Sequence, residues 1–450
     1  MATEFTQATL DELTRRLHAG ETATIALEMG EMHPADAGEI LSEIEEEDRL
    51  RILSQMSSDK LSEILMYLDE DVRAGVLDMF SGKEIAEDLV DNLDTDDAAD
   101  LLSELPEAKK REVLSHLENV ELAKDLADLL THQEGTAGAL MATELVTVNP
   151  SWNVLRCVKE MRRQAEKQEH VHAIYVVDDH EVLLGSLSLK KLLTTSTRTI
   201  IEEVYDKKLR SVTSTTEDTE VVRIMKKYDL FVLPVVDDLG RLLGRITIDD
   251  VVDVIQEEAD SNYQLLSGLS DEVASDDDLL ASTKARLPWL LVGLVGGLLS
   301  STVVSNNVGP LTHMPAMAFF MPLIAAMGGN VGVQSSSIVV QALANETLDD
   351  GLWQRIIKEL GVGLFNGLIC GLAIFLFGWI AGYALLFSLT VSLSLLVVIV
   401  FASLFGTAVP WLLNKRGVDP ALATGPFITT TNDVLGLTIY FAIARLILGF

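Results

Sequence analysis

The residue whose type and position most directly suggest chemistry is Asp433, in the stretch GPFITTTNDVLGL. It lies about nine residues into the apolar segment 424–448, which is about 13 Å along a helix and near the middle of a hydrocarbon core about 30 Å thick. A carboxylate at that depth costs at least about 2.5 kcal/mol, so acids inside membrane helices usually serve ions or protons. The alternative is that Asp433 only forms hydrogen bonds between helices.

Four side chains that carry oxygen atoms directly precede this carboxylate in the sequence: Thr429, Thr430, Thr431 and Asn432. Hard cations take oxygen ligands, and Mg²⁺ keeps several of its waters because it dehydrates reluctantly. No thiol or imidazole stands nearby in the sequence, which argues against a zinc or copper site. The pattern therefore favours a site for hydrated Mg²⁺.

A second apolar segment, MPLIAAMGGNVGVQSSSIVVQAL at 321–343, is unusually polar for a membrane span. Its three glycines allow neighbouring helices to approach closely. Asn330 and Gln334 are one helical turn apart and share a face. These polar groups either form contacts between helices or line a pore, and their clustering favours the pore.

Charge separates the chain into two parts. Residues 1–280 carry 27 basic and 62 acidic side chains, whereas residues 281–450 carry 7 and 6. Such an acidic surface attracts cations and repels nucleic acid, so DNA and RNA are excluded as partners. Acids at helix N-termini are also stabilised by the helix dipole, which is the simpler explanation for Asp96, Asp97 and Asp100.

Five segments are long and apolar enough to span a membrane, at about 287–308, 315–342, 360–383, 386–413 and 424–448. Basic residues precede the first span and lie between the second and third and between the fourth and fifth. By the positive-inside rule, the N-terminal part and these connections are cytoplasmic and the C-terminus is outside. The N-terminus also lacks a signal-peptide pattern.

Two internal repeats organise the acidic part. Residues 34–56 align without gaps to 95–117, and the helical spacing of Leu and Ile predicts helix pairs stacked in a superhelix. Residues 175–193 align with 234–252, and each copy predicts a strand, an Asp-Asp turn, a strand and a helix. The second repeat resembles a tandem pair of CBS domains, a module that often binds adenine nucleotides or cations.

Together with PLIAAMGGNVGVQSS (322–336) and GVDPALATGPFITTTNDVLG (417–436), this order of parts resembles the MgtE family of bacterial magnesium channels and transporters. The expected fold is a multidomain membrane protein with an all-α superhelical N-domain, α/β tandem CBS domains and a five-helix transmembrane domain. The expected boundaries are 1–132 for the N-domain, 133–200 and 201–255 for the CBS copies, 249–283 for a plug helix (about 249–266) with its linker, and 284–450 for the membrane domain.

The resemblance implies a homodimer in the bacterial inner membrane, with a pore between two membrane domains and a plug helix that blocks it. Asp433 would form the selectivity site, with Thr429 and Gly425 nearby, Asn330 in the pore lining and Asp419 at the cytoplasmic mouth. Cytosolic sensor acids are implied at Asp96, Asp100, Glu217, Asp229, Asp250, Asp253 and Glu258. The sequence departs from the family pattern at Thr219, Ser261, Asn262 and Val333.

The predicted function is Mg²⁺ uptake through a channel or transporter that intracellular Mg²⁺ closes, with ATP or another adenine nucleotide as a further ligand of the CBS domains. Asp250 could hold either a nucleotide ribose or a metal ion. The alternatives are a secondary exchanger, a carrier of Mn²⁺ or Co²⁺, and a receptor that does not conduct. An enzyme is not expected, because the sequence contains no P-loop, zinc motif or nucleophile–base pair.

Overall fold

A computed structural model describes residues 7–167, 170–269, 279–344, 352–423 and 425–449. The chain divides into two compact units, Met1–Ile255 and Gln256–Phe450. The division falls inside one helix, α14, and each unit is described by itself.

Unit 1 begins with ten helices, most of which are too short to be stable alone, because isolated helices below about 12–15 residues are marginal in water. Their apolar faces therefore hold them together: Leu41, Ile52, Leu101 and Leu102 are all fully buried. The helices are α1 Gln7–His18, α2 Thr22–Gly30, α3 Pro34–Ser42, α4 Glu46–Leu53, α5 Ser58–Leu65, α6 Glu70–Leu77, α7 Gly82–Glu84, α8 Thr95–Ser103, α9 Glu107–His116 and α10 Val120–Leu129.

The first sequence repeat is confirmed as a repeat of helix pairs. Its two copies form α3 with α4 and α8 with α9. Between them, α7 continues into an irregular turn at Ile85–Leu89 and a 3₁₀ turn at Val90–Asn92.

The second repeat is confirmed as two small α/β modules, each with a three-stranded sheet. In both, the first strand pairs in parallel with the second, and the second pairs antiparallel with the third. The elements are β1 Val146–Val148, α11 Val154–Gln164, β2 Ile174–Val177, β3 Leu183–Leu187 and α12 Leu189–Thr194 in the first copy, then β4 Val212–Thr213, α13 Asp218–Tyr228, β5 Val232–Val236, β6 Leu242–Thr247 and α14 Ile248–Ser267.

The repeated Asp after each central strand closes the hairpin turn. Asp178 Oδ1 accepts the backbone N–H groups of His180 and Val182, at 2.8 and 3.0 Å. Asp237 Oδ1 does the same for Leu239 and Arg241, at 2.9 and 2.8 Å. An aspartate that caps its own turn explains why both copies have one at this position.

Unit 2 contains the membrane-spanning helices. Within the described residues, five helices are long and apolar enough to cross a membrane, which confirms the predicted number. A core of α17, α19 and α20 side chains joins them, and Tyr440 Oη donates a 3.1 Å hydrogen bond to Met317 O. The helices are α15 Leu279–Ser305, α16 Val308–His313, α17 Met317–Ala344, α18 Leu352–Ile380, α19 Leu385–Asn414 and α20 Pro426–Leu448.

The predicted start of the third span, at 360, was wrong. Helix α18 begins at Leu352, so Arg355 and Lys358 lie in the helix rather than in a connection. Glu359 also lies inside this span, so the membrane-spanning helices contain an acid besides Asp433. The charged residues in the first two turns of α18 interrupt the apolar pattern, so the predicted span started after them. The backbone is already helical there, and side chains of other helices bury Glu359 to 5% exposure.

The first span also begins earlier than predicted, because α15 includes Lys284 and Arg286. Helix α14 occupies the predicted plug segment 249–266 and extends it by one residue at each end. Residues 270–278 of the predicted linker lie outside the described residues.

Candidate functional site

Three carboxylates of unit 1 converge at the start of α8. Asp94, Asp96 and Glu144 can each present an oxygen such that all three lie within 4.8 Å of one another. Asp94 is the residue before α8, Asp96 is in its first turn, and Glu144 lies in the segment before β1. Three carboxylate oxygens at this spacing are suited to a hard divalent cation.

Thr95 positions one of the three acids, Glu144. Its backbone N–H donates to Glu144 Oε1 and its hydroxyl to Glu144 Oε2, both at 3.1 Å. The Thr95 hydroxyl in turn accepts the backbone N–H of Thr143 at 2.8 Å. These bonds fasten the segment around Glu144 to the N-terminus of α8.

Among the described residues, the buried cation that faces this cluster is Arg245. It is 7% exposed, and its Nη2 lies 3.6 Å from Asp94 Oδ2. Its Nε donates to the backbone oxygen of Glu144 at 3.0 Å. One guanidinium does not balance the carboxylates around it, so an added cation would be stabilised there.

Asp97 and Asp250 extend the acidic cluster. Asp250 Oδ2 accepts the backbone N–H and the hydroxyl of Thr247, at 2.7 and 2.8 Å. Burial, followed by the neighbouring Asp96, raises the pKa of Asp97 to about 7 and that of Asp250 to about 7. Burial and then Asp94 raise the pKa of Glu144 to about 7. The charged forms of these acids are therefore disfavoured unless a cation joins them.

The predicted sensor acids fall in several places. Asp96 belongs to the cluster, Asp250 lies beside it, and Asp100 is one turn further along α8. Glu217 and Asp229 are exposed at opposite ends of α13, so this single chain does not bring them together.

Asp253 and Glu258 are exposed residues of α14. Burial raises the pKa of Asp253, and Asp249 raises it further.

Sequence reasoning missed Asp94 and Glu144. Asp94 carried a signal, because it precedes the Asp96-Asp97 pair at a helix N-terminus. Glu144 carried none, since the contacts that bring its segment to α8 are long-range: Thr95 bonds to the Glu144 carboxylate and to the backbone of Thr143.

The raised pKa values predict how stability depends on pH. In the unfolded chain these acids lose their protons near pH 4, whereas in the folded protein they hold them to about pH 7. Folding stability of unit 1 without bound metal should therefore fall between about pH 4 and 7 and stay low above 7. Mg²⁺ should restore most stability above pH 7, as measured by thermal unfolding of the full-length protein in detergent with EDTA or MgCl₂.

Asp97→Asn provides the internal comparison, because it removes one charge and keeps the side-chain volume. It should raise the melting temperature at pH 8 and leave it nearly unchanged at pH 5. One pKa unit corresponds to about 1.4 kcal/mol, so even part of the rise in the pKa of Asp97 gives a measurable change in the free energy of unfolding. Equal effects at both pH values would contradict this electrostatic account, and NaCl at matched ionic strength controls for screening.

In unit 2, the polar residues before Asp433 pack into spaces left by glycines. A Cβ at Gly296 of α15 would lie 1.5 Å from Thr430 Cγ2, and one at Gly332 of α17 would lie 2.0 Å from Asn432 Nδ2. Helix α20 therefore contacts two neighbours at distances that larger residues would forbid.

Asp433 itself faces α17 at Gly329. A Cβ at Gly329 would lie 3.7 Å from Asp433 Oδ1 and 3.0 Å from Thr429 Cγ2. The Thr429 hydroxyl donates to Gly425 O at 3.0 Å, and Gly425 has a φ of +60°, which favours glycine. Asp433 and Thr429 are half-buried, so the carboxylate is held next to an oxygen-rich turn without being sealed.

Asn432, Asn330 and Asp419 differ in their burial and in their hydrogen bonding. Asn432 is 1% exposed, yet neither amide atom has a hydrogen-bond partner among the residues that the structure describes. Asn330 and Gln334 are exposed on one face of α17. Asp419 is exposed and its Oδ1 accepts the backbone N–H of Ala421 at 2.8 Å.

The end of α14 contacts the start of α20. Gly268, with a φ of +79°, follows α14, and a Cβ there would lie 2.8 Å from Pro426 Cγ and 3.9 Å from Trp289 Cγ. Pro426 is the first residue of α20. The predicted plug helix therefore ends against the helix that carries Asp433.

Gly332 provides a test of the glycine packing around Asp433. Gly332→Ala should force Asn432 away from α17, because the new methyl group would collide with its amide, and overpacking of this kind costs about 1–3 kcal/mol. Mg²⁺ flux in proteoliposomes should fall at least about tenfold, since 1.4 kcal/mol corresponds to a factor of ten.

Gly361→Ala in α18 is the matched control, because nothing lies within 4 Å of its Cβ position among the described residues. It should conduct like the original protein. Equal flux from the two alanine variants would show that this contact does not support the ion path.

Comparison with known proteins agrees with the three-part architecture. Residues 32–135 match the MgtE intracellular N domain, residues 137–197 and 201–257 match CBS domains, and residues 321–443 match the MgtE divalent cation transporter family. A protein of Thermus thermophilus named magnesium transporter MgtE is 35% identical over 97% of this chain and 98% of its own length. The chain belongs to the MgtE family of magnesium transporters.

Two further MgtE relatives support this assignment. The magnesium transporter MgtE of Bacillus subtilis is 31% identical over 97% of each sequence. A crystal structure described as the cytosolic domain of the Mg²⁺ channel MgtE in complex with ATP is 32% identical, with a TM-score of 0.50, over 54% of this chain and 99% of that one. The predicted family and fold class are confirmed.

Proposed function

We propose that this chain is a Mg²⁺-selective channel or transporter for magnesium uptake that intracellular Mg²⁺ closes. The observation that carries the proposal is Asp433, a carboxylate in a membrane-spanning helix beside Thr429 and against Gly329. The magnesium transporters named above, aligned over nearly the full length, support it. The secondary exchanger and the carrier of Mn²⁺ or Co²⁺ are less favoured, and no enzymatic activity is part of the proposal.

At the pore, Asp433 would recognise a hydrated ion. Mg²⁺ holds its waters tightly, and a carboxylate can accept hydrogen bonds from those waters while supplying the opposing charge. Thr429 and the turn at Gly425 would add oxygen atoms on the same side. Asp419, exposed before α20, would draw cations toward the cytoplasmic mouth.

The functional unit would be a homodimer surrounded by lipid. Asn330 and Gln334 lie exposed on α17, although this helix spans the membrane. Polar groups facing lipid are costly, so this face needs either a second copy or an aqueous cavity. A pore between two membrane domains supplies both.

In the cytosolic part, the acidic cluster of Asp94, Asp96, Glu144 and Asp250 would sense Mg²⁺. Like charges about 4 Å apart repel by about 4 kcal/mol at an effective dielectric constant near 20. At low Mg²⁺ this repulsion opposes a compact arrangement, and bound Mg²⁺ would remove it. Asp100, Glu217, Asp229, Asp253 and Glu258 remain proposed sensor residues.

Helix α14 would transmit the response. Its first turn contains Asp250, and Gly268, which follows the helix, contacts Pro426. A change in the cytosolic part would therefore reach the first turn of α20, seven residues before Asp433. This is the role proposed for a plug helix.

An adenine nucleotide would bind between the two CBS copies. The related cytosolic domain was crystallised in complex with ATP. The Tyr175 hydroxyl of β2 is buried and has no hydrogen-bond partner in the described part of the chain, and Arg245 of β6 acts electrostatically on it. An unsatisfied donor beside a guanidinium fits a phosphate-bearing ligand.

The proposed location is the bacterial inner membrane, with the acidic domains in the cytoplasm and the C-terminus outside. Lys284, Arg286, Arg355 and Lys358 lie in the first turns of α15 and α18. By the positive-inside rule, those helix ends would face the cytoplasm. Lys415 and Arg416 follow α19 on the same side.

Replacement of Asp433 tests the pore. Asp433→Asn keeps the volume and removes the charge, so Mg²⁺ flux into proteoliposomes should fall by at least about two orders of magnitude, or about 2.7 kcal/mol. Thr438→Val on the same helix is the control, since its exposed hydroxyl bonds only to Val434 O within the described structure. Unchanged flux in Asp433→Asn would refute the assignment, and dependence of flux on an opposing Na⁺ or H⁺ gradient would favour the exchanger.

Gly268 tests the contact between α14 and α20. Gly268→Ala should weaken closure by Mg²⁺, because φ is +79° there and a Cβ would meet the Pro426 ring at 2.8 Å. We expect residual flux at about 10 mM Mg²⁺, where the original protein is closed. Gly382→Ala is the control, with a φ of +81° and no described atom within 4 Å. Complete closure of both variants would contradict the role of this contact.

A further inference from the structure

Glu359 is a buried acid that the proposed ion path does not use. It lies in the second turn of α18, within a membrane-spanning helix, and its side chain is 7% exposed. A buried carboxylate without compensation is costly in a membrane, so its surroundings indicate what it does.

The Glu359 carboxylate joins three helices. Ser403 Oγ of α19 donates to Glu359 Oε2 at 3.0 Å, and Ser335 Oγ of α17 lies 3.3 Å from the same oxygen. The two hydroxyl oxygens are 3.3 Å apart. Arg355, one turn earlier in α18, has its Nη2 3.7 Å from Oε1.

These contacts leave little capacity for a metal ion. One carboxylate oxygen faces a guanidinium and the other faces two hydroxyl groups, so the negative charge is already compensated. The cluster therefore differs from the half-buried Asp433, which has no cationic neighbour among the described contacts. A positioning role fits this geometry better than a second ion site.

The cluster fixes the part of α17 that faces Asp433. Ser335 is three residues after Gly332, and Gly332 accommodates Asn432. On the opposite side, α19 approaches the same point: a Cβ at Gly406 would lie 2.3 Å from Gly332 O, and Gly406 is three residues after Ser403. Helix α17 is thus held between α20 and α19 over little more than one turn.

Helix α18 is brought close enough for this contact by another glycine. A Cβ at Gly363, one turn after Glu359, would lie 3.3 Å from Ser403 Cβ. The close approach allows a short side chain such as serine to reach the carboxylate. A rotation or shift of α17 would break the Ser335 contact and move Gly329 away from Asp433.

We propose that Glu359 is a positioning residue for ion selection: with Ser335 and Ser403 it sets the rotation and height of α17 and so the surface against which Asp433 is held. The proposal rests on the proposed function, since Asp433 is taken as the ion site. Glu359 acts through α17 and does not contact the ion.

The experiment measures both Mg²⁺ flux and the ratio of Mg²⁺ to Co²⁺ flux in proteoliposomes containing equal amounts of folded protein. Glu359→Ala should lower Mg²⁺ flux at least about tenfold and change the ratio, because the register of α17 is lost. Glu359→Gln keeps an oxygen that accepts from both hydroxyls and should recover much of the flux. Ser335→Ala should change the ratio in the same direction, and adding it to Glu359→Ala should have no further effect.

Ser392→Ala is the matched control. Its Oγ donates to Gly371 O at 2.7 Å, so it also removes a serine hydrogen bond between α18 and α19, but one without a link to α17. It should leave the flux ratio unchanged. If Glu359→Ala does not fold, Ser335→Ala and Ser403→Ala decide the question, since each removes only one hydroxyl.

An unchanged Mg²⁺ to Co²⁺ ratio in Ser335→Ala and Ser403→Ala, or in folded Glu359→Ala, would overturn the proposal and leave Glu359 with a role in stability only. Failure of the proposed function looks different. In that case the original protein would carry no Mg²⁺, or Asp433→Asn would conduct normally, whatever the Glu359 variants do.

Discussion

Polar groups inside a membrane need either a protein partner or water, and this constraint governs how α15, α17 and α20 pack. The sequence before Asp433 places three threonines and an asparagine in the first two turns of α20. Glycines at 296, 329 and 332 let the neighbouring helices approach until those side chains are enclosed. The same approach leaves Asp433 half-buried beside an oxygen-rich turn, which is the arrangement that an ion path requires.

In unit 1, by contrast, carboxylates of like charge lie close together. Asp94, Asp96 and Glu144 converge, and in the described part of the chain Arg245 is the buried cation that faces them. Burial raises the pKa of Glu144 and of the neighbouring Asp97 and Asp250. Such an arrangement is stable only with added protons or added cations. A cluster whose stability depends on a bound cation is suited to report the concentration of that cation.

Helix α14 has one end at the acidic cluster and the other end at the start of α20. Its first turn contains Asp250, which the acidic cluster surrounds, and its end contacts Pro426 at the start of α20. Within the membrane domain, the buried Glu359 carboxylate joins α17, α18 and α19 through Ser335 and Ser403.

The sequence by itself determined the parts of this protein. Helical periodicity, the two repeats and five apolar runs predicted the N-domain, the CBS pair and the five spans, because these features are local and recur along the chain. The resemblance of two short segments identified the family. Asp433 could be singled out because a lone carboxylate in an apolar run is costly wherever the helices pack.

Only the tertiary structure decided which distant residues meet. Glu144 joins Asp94 because Thr95, 49 positions before Glu144 in the chain, bonds to its carboxylate. Glu359 was missed because it lies among charged residues just before the predicted apolar run, whereas two serines from other helices make its burial possible. Patterns along a chain show what each segment prefers, but compensation of a buried charge depends on partners that no local pattern contains.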